Sequence, residues 1–299
     1  MLREATNTVN IEGIISEIDI KDRDFVKNGE TKEAISGVIK VRVNQKVGGE
    51  MKELEVPVHV FSTKYTKSGA VNPSYASIDK FRNNATSIAA AGGVEGADWV
   101  QIRSGKITMN EFYSQDGSKL NSYPRIQASF LNKLPPKDIK DSMATFTIEF
   151  MVAKKEYEVD KNGEETGRYK IKAAVPQYGG KVDSIAFVAD SVGVIDAIQS
   201  YWEEGKTYSA TGRINFSAKT EVTYIQSDFG DDPIRSERTV SVNELIITGG
   251  SQTPLDENNE FSIEDIKRGL KERQARLEEM KNKMTQPKSS KNISDDLGF

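Results

Sequence analysis

Along the first third of the chain the apolar positions fall two apart. In VIKVRVN, Ile39, Val41 and Val43 point one way and Lys40 and Arg42 the other. After the turn signal VGGE, LEVPVHVF alternates again, with Leu54, Val56, Val58 and Val60 on one side and Glu55, His59 and Phe61 on the other. A period of two marks a half-buried strand, so two adjoining strands are expected to turn Lys40, Arg42, His59 and Phe61 to solvent. Upstream, TVNIEGIISEIDI is rich in β-branched residues, with Gly13 where a bulge or sharp bend would sit. KDRDFVKNGETKEA between these strands reads as a loop carrying Lys21, Arg23 and Phe25. A Gly/Asn/Pro-rich connector holding Lys64, Tyr65 and Tyr75 follows, with one short helix expected around residues 77–84. WVQIRSGKITMNEFY, interrupted at Gly105, and SYPRIQASFLNKL then supply two more strands before Pro135-Pro136 and KDIKD make a linker.

The second half repeats this order. ATFTIEFMVAKKEYEV, a DKNGEETG hairpin turn, YKIKAAV with Lys170 and Lys172 opposite Ile171 and Ala173, and VDSIAFVAD are three strands; VGVIDAIQSYWEEG is a helix ending at Gly205; KTYSATGRINFS and TVSVNELIITGG are two strands more. Gly105-Lys106-Ile107-Thr108 matches Gly212-Arg213-Ile214-Asn215 at the equivalent place in each half. Three strands, a connector and two strands suit an oligonucleotide-binding (OB) barrel of five strands. The expected fold is therefore mainly β, two tandem OB-fold-like five-stranded barrels at residues 1–135 and 136–250. Trp99 and Trp202 are assigned to their cores.

Past Gly249-Gly250 the period changes to that of a helix. Ser262 with Asp265 three residues on forms a capping box, and SIEDIKRGLKERQARLEEMKNKM places Ile263, Ile266, Leu270, Leu277, Met280 and Met284 on one stripe broken by Arg273. This amphipathic helix, within a 251–284 segment, is expected to pack on the protein's own barrel or on a second copy. A disordered, polar tail at 285–299 completes the chain.

Composition narrows the chemistry. The 299 residues contain no cysteine and one histidine, His59, which removes most routes to structural zinc, disulfides and His or Cys catalysis. No GxxxxGK[ST] phosphate loop is present: Gly179-Gly180-Lys181 lacks its first glycine and its Ser or Thr. Asp228-Phe229-Gly230 has no kinase partners and reads as a turn extended by Asp231-Asp232. The expectation is no enzyme, no cofactor and no metal, in a soluble cytoplasmic protein without a membrane span. A net charge of −4 argues against a uniformly basic nucleic-acid binder. By segment, residues 1–135 hold 18 Lys and Arg against 16 Asp and Glu, residues 136–250 hold 14 against 19, and the remainder 9 against 10. A nucleic-acid surface must then be local, with the first barrel the better host.

The chain ends in Asp295, Asp296, Leu297, Gly298 and Phe299 after a polar run with little to pack. An aromatic can fill a partner's apolar pocket while the carboxylates meet Lys or Arg at its rim. This tip, behind two barrels, resembles the acidic, Phe-terminated tail of bacterial and bacteriophage single-stranded DNA-binding proteins, with Gly298 where that family usually has proline. The resemblance implies sequence-tolerant coating of exposed DNA during replication, recombination and repair, with the tip recruiting replication or recombination enzymes. Such binding needs cations for phosphates and flat rings for unstacked bases. The candidates are Lys40, Arg42, His59 and Phe61, extended by Arg103 and Lys106, by Lys21, Arg23, Phe25, Lys64, Tyr65 and Tyr113 in neighbouring loops, and by Lys154, Lys155, Tyr157, Lys170, Lys172, Tyr178 and Arg213 in the second barrel. An alternative role for the second barrel is self-association as a homo-oligomer. A different reading of the same features is a virion or assembly protein of two β domains whose helix and tail dock a neighbouring subunit.

Overall fold

A computed structural model gives the fold and describes residues 2–27, 29–47, 49–114, 116–225 and 234–285. The tip candidates Asp295, Asp296, Leu297, Gly298 and Phe299, and the Asp228-Phe229-Gly230 turn with Asp231-Asp232, lie outside the described residues. Strands β1 (Asn7–Lys27), β2 (Glu30–Val47), β3 (Glu50–Thr63), β4 (Trp99–Tyr113) and β5 (Leu120–Ala128) form the first unit, with helices α1 (Pro73–Asn84) and α2 (Ile88–Ala91) between β3 and β4. After the short β6 (Asn132–Leu134), strands β7 (Met143–Val159), β8 (Glu165–Pro176), β9 (Val182–Ala189), β10 (Thr207–Ile225) and β11 (Ile234–Gly250) form the second, with α3 (Val192–Tyr201) between β9 and β10. Helix α4 (Ile263–Thr285) follows.

The pairings close two rings of the same order. In the first, β1 pairs with β2, β2 with β3, β3 in parallel with β5, β5 with β4, and β4 returns to β1. In the second, β7, β8, β9, β11 and β10 repeat that circuit, with β9–β11 the parallel step. This is the five-stranded Greek-key ring with a helix before the fourth strand. The alternating residues do what their period demands: Ile39, Val41, Val43, Val56 and Val58 are fully buried, as are Phe150, Ile171, Phe187 and Tyr208 in the second ring. Trp99 and Trp202 are both core residues, the latter donating from Nε1 to the Ser251 carbonyl at 2.8 Å.

The rings share one eleven-stranded sheet because the first half of β1 pairs antiparallel with the first half of β7, Asn7 opposite Ile148 and Glu12 opposite Met143. At the centre of that seam Val9 faces Phe146. On the outer edges Gly105 of β4 sits opposite Val9 and Gly212 of β10 opposite Phe146. The repeated Gly-Lys/Arg-Ile motif is thus placed symmetrically about the seam. A Cβ on Gly212 would lie 2.3 Å from the Phe146 ring and 2.2 Å from the Ile246 carbonyl oxygen, so glycine is the residue that lets the core ring close against β10.

Two expectations are revised. The segment 21–34 is not a loop: β1 and β2 continue through it in register, Lys21 opposite Ser36 and Lys27 opposite Glu30, as a ribbon projecting beyond the ring. Apart from Phe25 and Val26 its residues up to Glu33 are polar, so hydrophobic alternation gave no sign of a strand there. The bulge in β1 falls between Ile15 and Glu17 rather than at Gly13, where the absent Cβ instead admits the Arg42 carbonyl oxygen, which would lie 2.3 Å away.

Helix α4 packs on the rings rather than standing free. Ile266 and Leu277 are buried, and the Ser262 hydroxyl accepts the Asp265 N–H at 3.3 Å as the capping box requires. Arg273, which interrupts the apolar stripe, forks onto Glu111 of β4, with Nε donating to Oε2 at 3.1 Å. Substituting Gly212→Ala is expected to lower the unfolding free energy by about 1–3 kcal/mol through overpacking, whereas Gly193→Ala, at an exposed helical site with nothing within 4 Å of the new Cβ, should leave it unchanged or raise it by up to about 1 kcal/mol; urea titration of both variants checks the pair.

Candidate nucleic-acid interface

Register decides which outward side chains meet. Across β2 and β3, Ser36 faces Phe61, Val38 faces His59, Lys40 faces Pro57 and Arg42 faces Glu55. Lys40, Arg42, His59 and Phe61 therefore do share one outer face, but that face has two unlike ends. At one end Lys40 Nζ lies 2.6 Å from Glu17 and 3.6 Å from Glu55, and Arg42 Nε lies 3.3 Å from Glu53. The hydrogen bond to Glu17 is the main reason the Lys40 ammonium is held above the usual lysine range. Two cations among three carboxylates leave little positive field for a phosphate.

The other end is a groove of about 410 Å³ lined by Arg23, Val38, His59, Phe61, Arg125 and Gln127. Arg23 comes from the β1 ribbon, His59 and Phe61 from β3, Arg125 and Gln127 from β5. The parallel β3–β5 register sets Gln127 beside His59. Phe25, on the ribbon, packs its ring against Phe61 at 5.8 Å between centroids and a 60° tilt, and Phe61 keeps 46% of its surface exposed. Arg125 is steadied by donating from Nε to Thr108 Oγ1 at 3.2 Å, and neither Arg23 nor Arg125 has an ion-pair partner among the described residues. Burial, and then the nearby Arg125 guanidinium, push the His59 pKa below the usual imidazole value of 6.5, so the ring is neutral at pH 7.

The remaining sequence-derived candidates divide. Lys21 pairs with Asp19 at 2.8 Å, and Lys64 pairs with Glu33 at 2.7 Å while lying 5.5 Å over the exposed Tyr65 ring. These flank the groove. Lys106 is bound to Glu4 at 2.5 Å and lines a second groove at the junction of the two rings. Lys170 and Lys172 line a third groove on the β8–β9–β11 face, the counterpart of the first, walled on its other side by Tyr123 and Pro124 of the first ring. Lys172 is also 3.4 Å from Glu156. Arg103 is exposed on β4 near Glu12, Tyr113 ends the β4 strand, and Arg213 is half-buried 3.8 Å from Asp190; none of these three lines any of the three grooves.

Sequence reasoning missed Arg125 and Gln127. The signal was present, since Arg125 and Gln127 alternate with buried Ile126 and Ala128. What was missing was the parallel pairing that sets the fifth strand beside the third. Among the described residues no group of three His, Cys, Asp or Glu side chains is placed to hold a metal ion, and no helix is long and apolar enough to cross a membrane.

A family model described as YorF matches residues 5–283. No curated protein matches the chain. Two solved structures superpose with a TM-score of 0.48 each: a deletion variant of the single-stranded DNA binding protein from Thermus aquaticus, at 10% identity over 85% of this chain and 97% of that one, and the wild-type protein, at 9% identity over 85% and 95%.

The lowered His59 pKa has a signed consequence. Below about pH 6.5 the unfolded chain takes up a proton that the folded ring refuses, so stability should fall as pH drops from 6.5 toward the depressed folded value, and be fully retained above 6.5. Unfolding titrations between about pH 5 and pH 8 should show this slope in the native chain and a shallower one in His59→Gln.

Proposed function

The chain belongs to the YorF family, and for it we propose sequence-tolerant binding of single-stranded DNA by the outer face of the first ring. The observation that carries this reading is the groove itself: two guanidinium groups without an ion-pair partner among the described residues, Arg23 and Arg125, line it with the exposed ring of Phe61, which packs on Phe25. Guanidinium groups meet phosphates and rings stack on bases of any identity, which gives affinity without sequence readout. A neutral, half-buried His59 on the floor adds a further flat ring, and Gln127 a hydrogen-bonding group for a base edge. The site lies where ring strands two and three carry ligands in this fold.

In this reading the protein is a binder and not an enzyme. It coats exposed DNA during replication, recombination or repair, in a bacteriophage or its host, with residues 295–299 recruiting other proteins, as the acidic, Phe-ended sequence suggests. Self-association through the second ring is compatible with it. The paired cations Lys40, Arg42, Lys21 and Lys64 contribute less than the free arginines, because a phosphate must displace a carboxylate to reach them.

Titration with oligo-dT and with an equal-length duplex, at low and moderate salt, tests the reading. Salt-weakened binding to the single strand is expected. Phe61→Ala should cost about 1–3 kcal/mol of affinity, and Arg23→Ala and Arg125→Ala should each reduce the salt slope by about 0.7, with Lys40→Ala causing a smaller loss than either. Absence of oligo-dT binding at low salt removes the proposal. Deleting residues 294–299 is expected to leave DNA affinity unchanged or tighter, since the tip carries the same charge sign as DNA, while pull-down of replication enzymes is lost.

A further inference from the structure

Between the two rings lies a groove of about 580 Å³ lined by Lys106, Thr108, Arg125 and Gln127 of the first ring and by Tyr178 and Lys181 of the second. Arg125 and Gln127 line this groove and the first-ring groove alike, so the two open into one another on either side of β5. A few residues back along the same strand, Tyr123 and Pro124 wall the third groove, about 10 Å away at the rise of a β-strand.

At the middle of this track stands Tyr178, with 83% of its surface exposed. An aromatic ring so uncovered contributes little to the core, while the backbone turn that carries it is held in place. The turn that carries it is closed by the Gln177 N–H donating to the Lys181 carbonyl at 2.7 Å. Gly179 and Gly180 both have positive φ, 77° and 76°, which sets the sharp reversal without a Cβ penalty. Gln177 Nε2 donates across the junction to the Ile107 carbonyl at 3.3 Å, tying the turn to the first ring. From below, α4 presses Gly269 against Val182 and the Gly180 carbonyl, where a Cβ would lie 2.3 Å from the Val182 side chain and 3.4 Å from that oxygen.

Charge favours an anionic ligand here. Lys181 has no ion-pair partner among the described residues, and Arg125 is shared with the first groove. Of the two acids on the lining, Glu4 is bound to Lys106. Asp183 accepts the Met109 N–H at 3.3 Å, and burial, ahead of its other causes, raises its pKa.

We infer that the junction is a base-stacking subsite in which Tyr178 holds an unstacked base of a single strand, with Lys181 and Arg125 on the flanking phosphates, as the strand passes from the first ring toward the second. This rests on the proposed single-strand binding and names a subsite that the first-ring groove does not include. Its consequence is that short and long strands see different surfaces: a strand filling the first groove alone does not reach Tyr178, whereas a longer one does.

The test is the affinity of the full chain, its Tyr178→Ala and Tyr178→Phe variants, and Lys181→Ala, for oligo-dT from about 4 to about 30 nucleotides, the range set by sites of roughly 4–16 nucleotides per OB fold. The expected result is that Tyr178→Ala binds the shortest ligands as the native chain does but loses about 5-fold or more on long ones, Tyr178→Phe restores the loss, and Lys181→Ala lowers the salt slope by about 0.7 on long ligands only. Equal affinities of the native chain and Tyr178→Ala at every length overturn the subsite while leaving first-ring binding in place. Equal losses at every length, with unchanged circular dichroism, also overturn it, because Tyr178 would then belong to the first groove. Failure of the native chain to bind any oligo-dT is a different outcome and removes the reading beneath it.

Discussion

The antiparallel seam between β1 and β7 is the constraint on which the rest of the molecule depends. It fixes how two similar rings face each other, and the three grooves exist in one track because of it. The first half of each of these strands pairs with the other ring along one edge and with its own ring along the other, β1 with β4 and β7 with β10. The seam is held by more than the ladder: Gln45, buried on β2, takes the Ala144 N–H at 3.2 Å and donates to the Ile214 carbonyl at 2.5 Å across it, while Asn7, buried at the start of β1, exchanges hydrogen bonds with the Ile107 backbone of β4 in its own ring. Buried amides of this kind are costly unless both of their ends are met, and here both are, so they fix register as well as adding stability. A one-residue slip would turn every outward side chain of β1 inward.

An acidic protein can carry a cationic path when its carboxylates are spent locally. Around Lys40 and Arg42 three glutamates close the face to anions, whereas Arg23, Arg125 and Lys181 form no ion pair with a described residue. The distinction is invisible in the net charge of −4 and in the +2 balance of the first segment, because a field near a surface is set by neighbours within about a Debye length, ~8–10 Å at physiological salt. It also orders the side chains by cost: a phosphate at Arg23 displaces only water and counterions, whereas one at Lys40 must break an existing pair.

Helix α4 links the far end of the chain to this path. Its Gly269 lies under the turn that carries Tyr178, and its Arg273 grips Glu111 on β4, so the helix touches both rings at the junction. The interruption that Arg273 makes in an otherwise apolar stripe is therefore a contact in its own right, a charge placed where the sheet offers a carboxylate. A helix with a continuous apolar stripe would bury as much surface but would not select this seating.

The sequence by itself determined the strands, their inward faces, the order of elements in two matching halves and the amphipathic helix, because these follow from local periodicity and capping, which are written in consecutive residues. The outer faces of β2 and β3 were legible for the same reason. The largely polar ribbon at 21–33 was not, since a strand so exposed leaves no alternation to read. Tertiary structure alone decided which outward residues became a site. Parallel pairing brought Arg125 and Gln127 from β5 to His59, the seam brought Tyr178 and Lys181 to Arg125, and the carboxylates that neutralise Lys40, Arg42 and Lys106 arrived from strands and segments up to a hundred residues away. Proximity across a sheet is a property of the closed ring, and no stretch of the chain contains it.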